Sequence, residues 1–98
     1  MKYKDTPILM YHEISDTNNP WCISPKKFEQ QMQYLKDNNY KTITLNQLQT
    51  GVENNQETNQ KLVVITFDDA RKGVYTYAYP ILKKLGFTAT IYVISDWI

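Results

Sequence analysis

One uninterrupted apolar run constrains this chain of 98 residues more than any other feature. The run, LVVITF, covers residues 62–67 and lies between Lys61 and the adjacent carboxylates Asp68 and Asp69. A strand without polar alternation is buried on both faces, as parallel strands are when helices cover them. A chain of this length forms a single core or part of one. We therefore expect one α/β domain whose parallel sheet contains this strand.

Three more segments have the composition of strands. Apolar and β-branched residues dominate each of them, and turn-forming or polar residues separate them. The predicted strands lie at residues 7–11, 40–45, 62–67 and 88–94. Helices between consecutive strands favour parallel pairing. The sequence thus predicts about four parallel strands alternating with helices.

Capping and terminating residues indicate three helices. Ser24 can cap the first, which has an apolar stripe at helical spacing. Thr44, with a glutamine three residues later, forms a capping box for the second. The third is predicted to end at Gly86; if it begins near Thr76, Pro80 falls in its first turn, and otherwise Pro80 kinks the helix. Residues 53–61 are polar throughout and are predicted to form a solvated loop.

Composition and charge exclude several classes of partner. The formal net charge is +1, from 11 basic and 10 acidic side chains, so nothing favours nucleic acid or an anionic membrane. Cys22 is the only cysteine and is interpreted as a structural or incidental thiol rather than a nucleophile. The apolar runs are too short to span a bilayer, and no signal-peptide core follows the N-terminal lysines. A signal removed during export would leave the same sequence.

Asp68 and Asp69 are the candidate functional residues. They follow a strand, and functional groups in parallel α/β proteins gather at the carboxyl ends of the strands. One carboxylate can bind a divalent metal while the other takes a proton from a bound water. Alternatively, Asp69 caps the next turn and Asp68 is merely solvated. Paired aspartates also occur in phosphoryl-transfer proteins, so the reaction class stays open at this level.

The wider pattern resembles one enzyme family. The segment ITFDDARKGVYTYAYPILKKLGFTATIYVI, residues 65–94, is similar to the polysaccharide deacetylases that share the NodB homology domain, whose first signature is a strand ending in T-F-D-D-G. Upstream, ILMYHEIS and ISPKKFEQQMQYLKDNNYKTITLNQL resemble the branch that acts on exopolysaccharide or cell-wall N-acetylglucosamine. Because the resemblance covers nearly the whole chain, residues 1–98 are identified as the N-terminal part of such a domain.

The resemblance implies a fold, a reaction and two residue roles. The family has a distorted (β/α) barrel and hydrolyses the acetamide of N-acetylated polysaccharides with a bound divalent metal, usually zinc. Carried onto this sequence, Asp68 is the general base and Asp69 a metal ligand. An extracellular or cell-surface location is also implied. The resemblance assigns no residue to substrate binding.

This chain departs from the family pattern at several positions. The other metal ligands of the family are two histidines of an H-[ST]-x-x-H signature, which this sequence lacks. We therefore expect low zinc affinity and no activity from this chain alone. His12, the only histidine, has two interpretations: a residue near the site at the carboxyl edge, or a structural histidine with satisfied hydrogen bonds. Ala70 replaces the usual glycine, which strains the turn if that position needs a positive φ.

The length of the chain has consequences for its surface. A complete (β/α) barrel takes roughly 250 residues, so this chain would supply about half the strands. Apolar sheet edges and the inner face of the 62–67 strand are expected to be uncovered, which predicts self-association through those edges.

A second hypothesis is a non-catalytic carbohydrate-binding or assembly domain on the same scaffold. Aromatic side chains could stack on sugars, although packing within the fold or on its surface is the simpler interpretation of the tyrosines. The candidate residues are Trp21, Tyr75, Tyr77, Tyr79 and Trp97.

Overall fold

The computed structural model of this chain describes residues 2–15, 22–68 and 74–91. The strands are β1 (Ile8–Tyr11), β2 (Glu13–Ile14), β3 (Cys22–Ile23), β4 (Tyr40–Thr42), β5 (Lys61–Phe67) and β6 (Thr90–Ile91). The helices are α1 (Pro25–Asp37), α2 (Leu45–Glu53) and α3 (Tyr79–Leu85), with a 3₁₀ turn at Tyr3–Asp5 and a π-helical turn at Val74–Ala78. Strands and helices alternate from β3 onward.

β5 is the central strand of a four-stranded parallel sheet. One edge of β5 pairs with β1, where Tyr11 lies opposite Phe67. The other edge pairs with β4 as far as Val63 and with β6 from Thr66 onward. β2 and β3 form a separate parallel pair. The predicted α/β class and the four parallel strands are confirmed, and the arrangement fits part of a (β/α) barrel.

α1 begins where its sequence predicts. The Ser24 hydroxyl accepts a hydrogen bond from the Lys27 N–H at 3.2 Å and caps the helix. Asn38 follows the last turn, and Asn39 has a φ of 63°, a conformation that asparagine adopts more readily than most residues. The predicted apolar stripe is buried and consists of Phe28, Met32 and Leu35.

β4 is shorter than the strand predicted at residues 40–45. Thr44 caps α2 instead: its hydroxyl accepts from the Gln47 N–H at 3.1 Å, and the Gln47 side chain accepts from the Thr44 N–H at 2.8 Å. The capping box is thus confirmed, and the helix that it starts ends the strand early. At this point β6 takes the place of β4 beside β5, and the Thr42 hydroxyl accepts from the Thr88 N–H at 2.8 Å.

Both faces of β5 are buried. One face joins the main core under α1 and α3, through Val63, Ile65 and Phe67. On the other face, Leu62 and Val64 are 1% and 0% exposed. They pack with Ile43, Tyr3, Leu45 and Leu48. The prediction that the inner face of this strand is uncovered is wrong, because the N-terminal turn and the start of α2 cover it.

Apolar surface is exposed on β1 instead. Ile8 and Met10 are 45% and 64% exposed, whereas Leu9 and Tyr11 point to the main core. Within the described ranges, β5 is the strand that pairs with β1. Ile8 and Met10 lie opposite Val64 and Thr66 and point to the same face of the sheet, so the exposed apolar surface is this face of β1, next to an edge with which no other described strand pairs.

α3 begins later than predicted. Its first residue is Tyr79 rather than Thr76, because the preceding turn is π-helical. Pro80 is the second residue of α3, and the π-helical turn runs into this helix without a break, since Ala78 has right-handed helical φ and ψ of −72° and −46°. Gly86 ends the helix with a φ of 71°, a left-handed conformation that glycine adopts without steric cost.

The strand predicted at residues 88–94 is observed as Thr90–Ile91. Residues 92–98 lie outside the described ranges. Among the helices that the structure describes, none is both long enough and apolar enough to cross a membrane.

Gly51 in α2 allows Tyr3 to pack closely against the helix. A Cβ atom at position 51 would overlap the Tyr3 ring. Gly51→Ala should therefore lower the free energy of unfolding by about 1–3 kcal/mol, as overpacking does, although alanine is the better helix former by about 1 kcal/mol. Urea unfolding measures the change. In a Tyr3→Ala background the overlap is absent, so the same substitution should be stabilising; a loss of stability there would contradict the explanation.

Candidate active site

The carboxyl ends of β1 and β5 meet because the two strands stay in register to their last residues. Tyr11 lies opposite Phe67, and the pairing continues for one more residue, where the Asp68 N–H donates to the Tyr11 carbonyl at 3.1 Å. His12 and Asp68 are the residues that follow the two strands. They are therefore neighbours at the carboxyl edge of the sheet.

The side chains of His12 and Asp68 are in direct contact. His12 Nδ1 lies 2.7 Å from Asp68 Oδ2, a distance typical of a charge-assisted hydrogen bond. The two side chains are 57% and 33% exposed, so water and a substrate can reach them. The structure agrees with the first interpretation of His12 as far as position is concerned, because the residue lies at the carboxyl edge beside Asp68. The catalytic roles assigned to this edge remain predictions.

Asp69 and Ala70 lie outside the described residues. The prediction that Asp69 is a metal ligand therefore stays a prediction. The same holds for the effect of Ala70 on the turn.

The donors at this edge are of types that zinc accepts, an imidazole nitrogen and a carboxylate oxygen. A catalytic zinc site, however, uses three protein ligands. Across residues 2–15, 22–68 and 74–91, no group of three or more His, Cys, Asp or Glu side chains is placed to hold a metal. The described residues alone therefore do not supply the three protein ligands of such a site.

Tyr11 is the last residue of β1, directly before His12, and its side chain packs against the main core. Its ring packs edge-on against Phe28, with centroids 5.1 Å apart, and tilted against Phe67 at 5.7 Å. Its hydroxyl donates to Gln31 Oε1 at 2.6 Å. Burial raises the pKa of Tyr11 from its ordinary value of 10.0 to about 12, because a phenolate there would lose hydration.

Sequence reasoning did not single out Tyr11 or Gln31. Strand alternation puts Tyr11 on the same face as Leu9, and helical spacing puts Gln31 one turn after Phe28. Each pattern indicates the face of the strand or helix on which the side chain lies, but it does not indicate which residue the side chain contacts. The hydrogen bond between them depends on how α1 packs on β1, which local patterns do not contain.

The aromatic candidates for sugar stacking are only partly described. Tyr77 and Tyr79 are 37% and 58% exposed and belong to the surface. Tyr79 lines a cleft of about 390 Å³ whose other walls are mostly apolar, including Phe67 and Phe87. The side chains of the remaining candidates, Trp21, Tyr75 and Trp97, lie outside the described part of the chain.

Relatives of this chain are polysaccharide deacetylases. Residues 55–98 match the family described as polysaccharide deacetylase. A candidate polysaccharide deacetylase of Bacillus subtilis is 43% identical over 89 residues, which cover 91% of this chain and 32% of that protein. The poly-β-1,6-N-acetyl-D-glucosamine N-deacetylase of Staphylococcus aureus is 29% identical over an alignment of 112 residues, which covers 97% of this chain and 38% of that enzyme.

Solved structures agree with the sequence relatives. The deacetylase PplD of Streptococcus pyogenes, in complex with acetate, matches with a TM-score of 0.84 and 38% identity over 92% of this chain and 42% of that chain. The chain belongs to the polysaccharide deacetylase family, as its sequence pattern indicates, and the deacetylation named for its relatives is hydrolysis of an amide bond. It spans about a third of the length of the curated relatives it matches.

The raised pKa of Tyr11 predicts a pH dependence of folding. In the unfolded chain this phenol ionises near 10.0, but in the fold only near 12. The stability that it contributes is therefore intact below pH 10.0 and is lost as the pH rises towards about 12. Urea unfolding at about pH 9 and about pH 11 measures how far the free energy of unfolding falls between the two pH values. This fall should be smaller for Tyr11→Phe than for the unaltered chain.

Tyr34→Phe is the matched control for this measurement. Tyr34 is on α1 and is 62% exposed, so its removal should leave the drop unchanged. An equal drop in Tyr11→Phe and the unaltered chain would contradict the assignment.

Proposed function

We propose that this chain is the N-terminal part of a metal-dependent polysaccharide N-deacetylase. The observation that carries the proposal is the contact between His12 and Asp68 at the carboxyl edge of a parallel sheet, in a chain that belongs to this family. The S. aureus relative is named for a polymer of N-acetylglucosamine. That name supports exopolysaccharide or cell-wall polymers containing N-acetylglucosamine as the substrate class.

Asp68 is assigned the role of general base. Its carboxylate would accept a proton from the water that attacks the acetamide carbonyl. The C–N bond would then break as this proton passes to the leaving nitrogen, which leaves acetate and a free amine on the sugar. A positioned base of this kind contributes roughly 10²–10⁴-fold to the rate. His12, in contact with Asp68 Oδ2, would hold the carboxylate in the orientation that the reaction needs.

Asp69 is assigned as a metal ligand from its place in the TFDD segment. A divalent metal, which we propose to be zinc, would supply a Lewis acid and lower the pKa of a bound water. Further ligands would come from outside this sequence, because it contains no H-[ST]-x-x-H segment. The chain by itself is therefore proposed to be inactive and to bind zinc weakly.

An extracellular or cell-surface location is proposed as well, since polymers of this class lie outside the membrane. Fractionation of cells that make the protein tests it. Recovery from the cytosol alone would contradict this location.

Self-association is proposed to occur along β1. Ile8 and Met10 expose an apolar face of β1, and the neighbouring edge of the strand can pair with a strand of another copy while that face packs against it.

A chimera tests the proposed function. Residues 1–98 would replace the matching segment of the S. aureus N-deacetylase, and acetate release from N-acetylglucosamine oligomers would be measured. We expect acetate release by the chimera. Asp68→Asn should lower its rate by about 10²-fold or more, because an amide cannot accept the proton.

Asp37→Asn is the matched control for the chimera. It removes one carboxylate from the last residue of α1, at the end of the helix that precedes β4, and should leave the rate unchanged. Full activity in Asp68→Asn would assign the base to another residue. A folded chimera that releases no acetate, beside an active parent enzyme, would overturn the proposed function.

Calorimetric zinc titration of the 98-residue chain, with light scattering to report its mass, tests the two proposals about the chain alone. We expect no saturable binding in the micromolar range, because the ligand set is incomplete, and a mass above that of a monomer. Tight binding that Asp69→Ala abolishes would show a complete site and contradict the first proposal. A strictly monomeric species would contradict the second.

A further inference from the structure

We infer that Gln31 is a positioning residue for the His12–Asp68 pair and that it acts through Tyr11. The inference follows a chain of contacts from α1 to the carboxyl edge of the sheet. Its relevance to catalysis rests on the proposed function of Asp68, but the contacts themselves can be tested without any activity.

The first link is the peptide unit between Tyr11 and His12. Its carbonyl oxygen, which belongs to Tyr11, accepts the hydrogen bond from the Asp68 N–H at 3.1 Å. Its nitrogen belongs to His12, and the peptide unit is planar. The orientation of this one plane therefore sets the backbone of both members of the pair.

The second link is the Tyr11 side chain. Its ring contacts Phe28 on α1 and Phe67 on β5, which restrain the ring by packing. Its hydroxyl, at the far end of the ring, donates to Gln31 Oε1 at 2.6 Å. Packing alone tolerates small displacements, whereas a short hydrogen bond is directional. Gln31 thus restrains the position of the Tyr11 hydroxyl and, through the rigid ring, the orientation of the Tyr11 backbone.

The third element is the rigidity of α1 itself. Gln31 lies one turn after Phe28, on a helix that is capped by Ser24 and anchored in the core by its apolar stripe. The helix therefore supplies a stable reference for Tyr11.

The pair needs this support because both of its side chains are partly exposed, at 57% and 33%. Contacts between exposed charged side chains are weak, since water competes for them and fixing two side chains costs entropy. A restraint on the two backbones therefore helps to keep the 2.7 Å contact. The strand pairing that ends in the Asp68 N–H bond to the Tyr11 carbonyl supplies part of this restraint, and the hydrogen bond from Tyr11 to Gln31 adds to it.

The single histidine of this chain allows a direct test. The ¹⁵N signals of the His12 imidazole are recorded by NMR at one neutral pH, and Asp68→Asn provides the reference for a lost contact. Gln31→Ala and Tyr11→Phe should each move the signals more than half of the way towards that reference. Gln31→Glu should keep them near the unaltered chain, because a carboxylate oxygen can also accept from the Tyr11 hydroxyl.

Gln30→Ala is the matched control, since it shortens the neighbouring glutamine of the same helix and should leave the signals unchanged. Circular dichroism confirms that each variant is folded, and Tyr11→Phe provides a second variant if Gln31→Ala does not fold. Unchanged His12 signals in folded Gln31→Ala would overturn the inference. Movement in Gln31→Ala without movement in Tyr11→Phe would also overturn it, because the effect would not pass through the tyrosine hydroxyl.

Discussion

The parallel pairing of β1 with β5 is the interaction on which the rest of the structure depends. Its register places Tyr11 opposite Phe67, and the hydrogen bond from the Asp68 N–H to the Tyr11 carbonyl extends it to the ends of both strands. A shift by one residue would turn every side chain of one strand to the opposite face. It would also separate His12 from Asp68. The core and the candidate site therefore share one structural cause.

Burial is unevenly distributed over the sheet. β5 is covered on both faces, by α1 and α3 on one side and by the start of α2 with Tyr3 on the other. β1 instead exposes Ile8 and Met10. Asp68 thus follows the central strand, which is buried on both faces, whereas His12 follows β1, which lies at the edge of the described sheet. This asymmetry explains why contacts that restrain the end of β1, such as that of Tyr11 with Gln31, matter for the geometry of the pair.

Membership of the polysaccharide deacetylase family gives this geometry a chemical meaning. The chain spans about a third of the curated relatives it matches, yet it holds the segment with the two aspartates. In our proposal, the base and its histidine partner belong to this part of the fold, and most of the metal ligands belong to another. Such a division is natural in a barrel, where every strand contributes its carboxyl end to one shared site.

The sequence by itself determined the local elements, because caps, terminators and apolar runs act over a few residues. The Ser24 cap, the Thr44 capping box and the place of Asp68 at the end of β5 could all be predicted. The apolar run indicated burial of β5 on both faces, but the short length of the chain predicted an uncovered inner face, and only the structure showed that this face is covered. The early end of β4 was missed because a cap and a strand competed for the same residues. Only the tertiary structure decided that β1 lies beside β5, that His12 touches Asp68 and that Gln31 reaches Tyr11. Those contacts join residues far apart in the chain, and they depend on strand order and helix packing, which no local pattern encodes.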